Sequence, residues 1–191
     1  MKKSTILLLV VLAALVLWGV KIYNNLVKQQ EGVSSAWSQV ENVYQRRSDL
    51  IPNLVATVKG YAQHESSTLE AVVEARAHAT QVNGGNLSAE EVANYQKAQG
   101  EVSGALGRLL AIVENYPELK ANENFLDLQA QLEGTENRIA EARRQFNETA
   151  KSYNTKVRSF PANLVAKMFD FETKGYFEAD EAAKAAPKVE F

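Results

Sequence analysis

The sequence has no cysteine, and only four prolines and ten glycines among its 191 residues. Without thiols there can be no disulfides, zinc–thiolate sites, iron–sulfur clusters or cysteine nucleophiles. So little proline and glycine leaves few turn-formers for a β-rich chain. Histidine is almost missing too, with only His64 and His78. They stand 14 residues apart, about 21 Å along a helix, and cannot share one metal ion within a chain. His64-Glu65 has the start of a zinc-protease helix, but the second ligand would fall at Thr68. No G-x-S-x-G, Walker or dinucleotide loop occurs, and Asn83-Gly84-Gly85-Asn86 has no strand before it. Carboxylate pairs such as Glu90-Glu91 or Glu133 and Glu136 lack a matching base or metal ligand and read as solvated helix faces. No cofactor, metal or catalytic residue is expected, and the chain reads as a non-enzyme.

Excess positive charge is also lacking. The 21 basic residues face 23 acidic ones. Lys2, Lys3 and Lys21 flank an apolar run, and removing these three leaves 18 basic residues in the body. An acidic body argues against nucleic acid, because phosphate contacts need clustered Lys and Arg.

What is present is one long apolar run and many helix formers. Ile6 to Val20 is unbroken and apolar. Extended through Tyr23, Leu26 and Val27, with Lys21 snorkelling, it meets the need for about 20 residues to cross ~30 Å of hydrocarbon. Trp18 and Tyr23 suit an interfacial aromatic belt. The competing reading, a cleaved signal, needs small residues after the run, and Leu17-Trp18-Gly19-Val20-Lys21 is bulky there. Lys2, Lys3 and the terminal amine outweigh the charge after the run. The positive-inside rule therefore predicts a single-pass membrane protein with its N-terminus in the cytoplasm and its body outside. Its lipid contact is Ile6–Val20.

From Val33 the apolar positions step by three and four: Val33, Trp37, Val40, Tyr44, Ile51, Leu54, Val58, Tyr61, Leu69 and Val72. Pro52 interrupts the series and predicts a kink or short break in a helix ending near Val82. No proline occurs before it, so this helix is expected to run straight on from the anchor. Ser88 and Glu91 form a capping-box signature for a second helix carrying Val92, Tyr95, Val102, Leu109 and Val113. Gly100, Gly104 and Gly107 read as close packing inside the bundle. A third helix of about 40 residues is expected from Glu118, with its seam at Phe125, Leu132, Ile139, Phe146, Tyr153 and Val157, stopped by Phe160-Pro161. Phe169 to Glu178 reads as extended. The fold class is all-α: an N-terminal transmembrane helix, then an elongated antiparallel, coiled-coil-like bundle of three to four long helices. The expected divisions are an anchor at 1–27, a bundle domain at 28–178 and a tail at 179–191.

Several segments in order carry a resemblance. They include Trp37-Ser38-Gln39-Val40, Gln45 through Val55, Thr57-Val58-Lys59-Gly60-Tyr61, His64-Glu65 and Ala75-Arg76. Further on come Arg108-Leu109-Leu110-Ala111, Tyr116 through Ala121, Leu132-Glu133-Gly134-Thr135-Glu136, Ala142-Arg143-Arg144, Tyr153-Asn154 and Phe160-Pro161. Together they resemble the LemA family of bacterial membrane proteins over nearly the whole chain. The resemblance implies one transmembrane helix and an antiparallel helical bundle, and no activity. At Met168-Phe169-Asp170-Phe171 the chain departs from the Gly-Phe that members often carry.

The candidate interface residues are charges on or beside the seams, with one aromatic and one proline: Trp37, Arg46, Arg47, Asp49, Pro52, Glu65, Glu70, Arg76, Glu133, Glu136 and Arg143. Buried or half-buried charges fix register and partner choice. Arg46, Arg47, Asp49, Glu65, Glu70 and Arg76 are expected to pair with Glu133, Glu136, Arg138, Arg143 or Arg144, within one subunit or between subunits. Helices of unequal length are expected to leave an apolar stripe for a neighbour, which predicts a homo-oligomeric scaffold. The rival reading is an adaptor for a membrane protease or another membrane protein partner, docking through Phe169–Glu178 and Val189-Glu190-Phe191. The plainer reading of Phe171, Tyr176, Phe177 and Phe191 is that they cap the bundle.

Overall fold

A computed structural model of the chain describes residues 3–179. Among them are six helices and no strand: α1 (Lys3–Tyr61), α2 (Ser66–Gln81), α3 (Ala89–Val113), α4 (Pro117–Lys120), α5 (Glu123–Arg158) and α6 (Ala162–Met168). The all-α, elongated bundle expected from the seams is the fold. Most of the tail, with Val189-Glu190-Phe191, lies outside the described residues, as does Lys2.

α1 runs 59 residues without interruption, about 90 Å at 1.5 Å per residue. Its first part is long and apolar enough to cross a membrane, by length and composition. The second part is the spine of the bundle, burying Val33, Trp37, Val40, Tyr44, Arg47, Ile51, Leu54 and Val58. Arg47 fills the one seam position between Tyr44 and Ile51.

Pro52 does not break α1. The break comes at residues 62–65, where Ala62 is buried and the chain reverses into α2. The helix expected to reach Val82 is therefore two antiparallel helices. α2 folds back along α1, as the bond from Arg76 to Ser48 shows. The apolar register stays in phase across the reversal because both helices cover one core.

The turn after α2 packs under Trp37. A Cβ on Gly84 would lie 2.4 Å from the Trp37 ring, so the indole itself excludes any larger residue. Ser88 Oγ then accepts from Glu91 N at 3.2 Å while Glu91 Oε2 accepts from Ser88 N at 2.9 Å, the capping box of α3. The glycines of α3 are not packed inside the bundle: at Gly100 and Gly107 a Cβ would meet nothing within 4 Å, and both face solvent.

Pro117 starts the short α4 rather than a long helix. α5 begins at Glu123, capped by Asn122 Oδ1, which accepts from Phe125 N at 3.1 Å. It returns antiparallel to α1, the two helices sharing the longest interface of the fold. Tyr61 lies beside Asn122, Arg47 beside Glu136 and Gly32 beside Thr149. After α6 the chain is extended from Phe171 and runs back up between α3 and α5.

Candidate functional site

The core is divided. One apolar cluster holds Trp37, Tyr44, Tyr95, Phe146, Tyr153 and Phe177 on the side of the apolar N-terminal run. The other holds Ile51, Leu54, Val58, Val102, Leu109 and Leu132 at the far end. Between them lie the buried polar residues Arg47, Gln99 and Thr135, one each from α1, α3 and α5.

Arg47 is 1 % exposed and sits at the centre of this layer. Its guanidinium donates to Ser103 Oγ at 2.7 Å, Glu136 Oε1 at 2.9 Å, Gln99 O at 3.0 Å and Gln99 Oε1 at 2.6 Å. It also lies 5.0 Å from the Tyr44 ring centre. An arginine can be buried only where its fork meets acceptors on all sides, with a carboxylate to balance its charge. Glu136 keeps a 45 % exposed side chain, so it is desolvated only in part. On the aromatic side of the layer, burial pushes the Tyr95 phenol far above its ordinary value.

Pro52 and Arg76 belong to the same place. Proline has no N–H, so within α1 the carbonyl of Ser48, four residues back, loses its helical donor. Arg76 Nε donates to that carbonyl at 2.8 Å from α2. Arg76 thus replaces the missing backbone donor, and the helix runs on through the proline. A cleft of about 380 Å³ opens beside this bond, lined by Glu41, Arg47, Ser48, Arg76, Tyr95 and Gln99 among others.

Within the single chain, the other expected pairings are mostly not made. Among the described residues, Arg47–Glu136 is the pair formed across elements from the predicted set. Arg46 and Glu70 face solvent, and Asp49 accepts from Gln45 on its own helix at 2.7 Å. Glu65 accepts instead from the Tyr116 hydroxyl at 2.9 Å, latching the distal turn. Glu133 is exposed. Arg144 bonds Glu141 and Glu148 on α5 itself. These side chains are long and reach solvent, so local i,i+4 partners and water compete with distant ones.

Trp37 and Arg143 act on the extended segment. Phe177 is stacked on Trp37 at 5.7 Å and meets Phe146 edge-on at 5.5 Å. Arg143 lies 5.0 Å over the same ring and donates to Glu178 O at 2.9 Å. Three carboxamides outside the apolar seams hold this strap, of which only Asn154 belongs to a motif of the family resemblance. Asn154 accepts from Lys174 N at 2.7 Å and donates to Lys174 O at 2.7 Å. Asn147 does the same to Phe177, at 2.9 and 2.8 Å, and Gln96 to Glu178, at 2.9 Å each way. Each amide serves both backbone groups of one residue, as a neighbouring strand would. Gly175 fits where α3 begins, and a Cβ there would lie 2.8 Å from Ala89 Cα. Phe171 and Phe177 therefore pack on the bundle, as the plainer reading has it, while Tyr176 is 42 % exposed and Phe191 lies outside the described residues.

The described residues contain no group of three His, Cys, Asp or Glu side chains able to hold a metal ion. What the polar layer can do is fix the register of α1, α3 and α5, since sliding any helix by one turn would bury Arg47 without its acceptors.

Comparison with known proteins places this geometry. The sequence model of the LemA family matches residues 36–191. Magnetosome protein MamQ 2 of Paramagnetospirillum magneticum and Magnetosome protein MamQ of Magnetospirillum gryphiswaldense are each 27% identical over 179 residues. Those matches cover 84% of this chain and 66% of each relative, so the chain spans a little under two thirds of their length. Protein LemA of Metamycoplasma hominis is 25% identical over 158 residues, covering 83% of this chain and 69% of that protein. A spine helix that continues an apolar N-terminal run, with a helical bundle folded back along it, belongs to this protein as a member of the LemA family.

Proposed function

We propose that this protein is a non-enzymatic, single-pass scaffold of the bacterial inner membrane that self-associates, with its bundle outside the cytoplasm. The observation that carries the reading is the unbroken α1, which makes anchor and spine one rigid element. Any orientation the anchor takes in the bilayer is passed directly to the bundle. Relatives named both as magnetosome proteins and as LemA fit a mechanical role, which differing cellular settings can use, better than one dedicated reaction.

The bundle flank offers little apolar surface for lateral association. Outside the anchor and the α6 end, the exposed large hydrophobics among the described residues are Tyr61, Val73, Leu126 and Tyr176, on different elements. The expected apolar stripe is thus missing, because α2 and the strap between them cover α1 and α3 along their length. Self-association is therefore assigned to the anchor, whose residues Ile6–Val20 are exposed in the isolated chain, and to polar flank contacts.

Light scattering of the full-length protein in lipid discs tests this, followed by single-particle imaging. A defined multimer over a wide concentration range is the expected result. A monomer throughout ends the scaffold reading in favour of an adaptor, whose remaining handle would be Val189-Glu190-Phe191.

A further inference from the structure

Among the described residues outside the anchor, exposed large apolar side chains cluster at the α6 end. Phe160, Leu164 and Met168 are 80 %, 60 % and 74 % exposed and follow one another at four-residue steps. Phe169 beside them is 54 % exposed. The opposite side of α6 is fully used: Ala162 and Ala166 are buried against α1 and α5. α6 is thus amphipathic, with Ala162, Val165 and Ala166 facing the bundle and Leu164 and Met168 facing outward. Water is an unfavourable environment for four adjacent large apolar side chains.

The position of the patch identifies what covers it. Tyr23 of α1 meets the rings of Phe169 and Phe171 at 4.9 and 5.5 Å. Tyr23 is three residues past Val20, so Phe169 lies within about one helical turn of the end of the apolar run. A span of about 20 residues counted from Ser4 ends at Tyr23. The α6 end is therefore level with the place where α1 leaves the hydrocarbon. Close in sequence to Tyr23 and to α6 are Lys21, Lys156, Arg158 and Lys167, against Asp170 and Glu172, a local basic excess on an otherwise acidic body. Apolar side chains at the boundary with Lys and Arg beside them are the composition of an interfacial membrane contact.

We infer that the α6 end is a second membrane attachment. Phe160, Leu164, Met168 and Phe169 enter the headgroup–acyl boundary of the leaflet that faces the bundle. The proposal rests on the reading that α1 spans the membrane and adds to it: two points of attachment fix the tilt of the rod, where one helix alone leaves it free to lean. The exposed ends of Phe160 and Met168 are then lipid contacts rather than packing defects.

Spin labelling tests it without a background, since the chain has no cysteine. Full-length Leu164→Cys and Met168→Cys, with Leu12→Cys and Val73→Cys as references, are labelled with a nitroxide and placed in discs of phosphatidylcholine and phosphatidylglycerol. Collision with oxygen, which concentrates in lipid, is compared with collision with a water-soluble nickel chelate. Labels at 164 and 168 are expected to lose access to the chelate and gain access to oxygen, falling between the Leu12 and Val73 sites. If they match Val73 while the Leu12 site is lipid-embedded, the α6 proposal fails and the anchor stands. If the Leu12 site itself matches Val73, both readings fall together. Shielding from both reagents, with spin–spin broadening that disappears on dilution with unlabelled protein, would assign the patch to a second copy and overturn the lipid contact.

Discussion

The two halves of the bundle solve the same packing problem differently. At the far end four helical segments, α1, α2, α3 and α5, surround an aliphatic core of Ile51, Leu54, Val58, Leu109 and Leu132. On the anchor side α2 has ended, and the fourth place is taken by an extended strap around an aromatic core of Trp37, Tyr95, Phe146 and Phe177. A strap cannot satisfy its own backbone, so Asn154, Asn147 and Gln96 complete it from the helices. Helix-only packing carries its hydrogen bonds with it. A strand in a helical bundle must borrow them, and it borrows from residues that a periodicity search counts as surface.

The sharpest way to break the comparison is to remove the ring that pins the strap. Phe177→Ala is expected to cost about 4 kcal/mol. Hydrogen exchange should rise in residues 171–178 and at the start of α3, with the α2–α3 pairing protected. Leu109→Ala, fully buried in the other half, is expected to cost about 3 kcal/mol with the reverse pattern. Equal loss of protection in both halves from both variants would mean that the bundle has no internal division.

The boundary itself comes next. Arg47→Ala removes the charge that Glu136, Gln99 and Ser103 share, and a loss of about 3 kcal/mol in denaturant unfolding is expected. Arg47→Met keeps volume but leaves the same acceptors unpaired, so it should recover only part of this. Full recovery would show that packing alone sets the register.

A smaller effect tests the link between Pro52 and Arg76. Arg76→Ala orphans the Ser48 carbonyl and should cost about 1–2 kcal/mol. In a Pro52→Ala background the backbone N–H returns, and the same change should cost distinctly less. Equal costs in the two backgrounds would separate the residues.

The smallest concerns the turn between the halves. Ser88→Ala is expected to cost about 1 kcal/mol through loss of the cap. The Ser88 backbone N–H, which Glu91 accepts, holds the Glu91 carboxyl below its ordinary range. A carboxyl lowered by folding adds stability that is complete above its unfolded value and is lost as pH falls through the folded one. Glu91→Gln should therefore flatten the acid limb of the melting profile, without moving the temperature scale at neutral pH by more than the cap is worth.

The buried faces of the long helices were legible in the sequence, though not all of the helix ends. A period of three and four residues is a property of one chain segment, so Val33 to Val58, Val92 to Val113 and Phe125 to Val157 could be read before any contact was known. The apolar run and the Ser88–Glu91 cap are equally local. The resemblance of the motifs to one family was legible for the same reason. Tertiary structure alone decided where α1 turns back, since the reversal at residues 62–65 keeps the apolar register and leaves no break in it. It also decided that Pro52 is spanned, because its compensation comes from Arg76 on another helix. Which carboxylate meets Arg47, and which amides hold the strap, depended on side chains 50 or more positions apart, or on opposite sides of a turn. Periodicity reports which face of a helix is covered; what covers it is set by the packing of the whole chain.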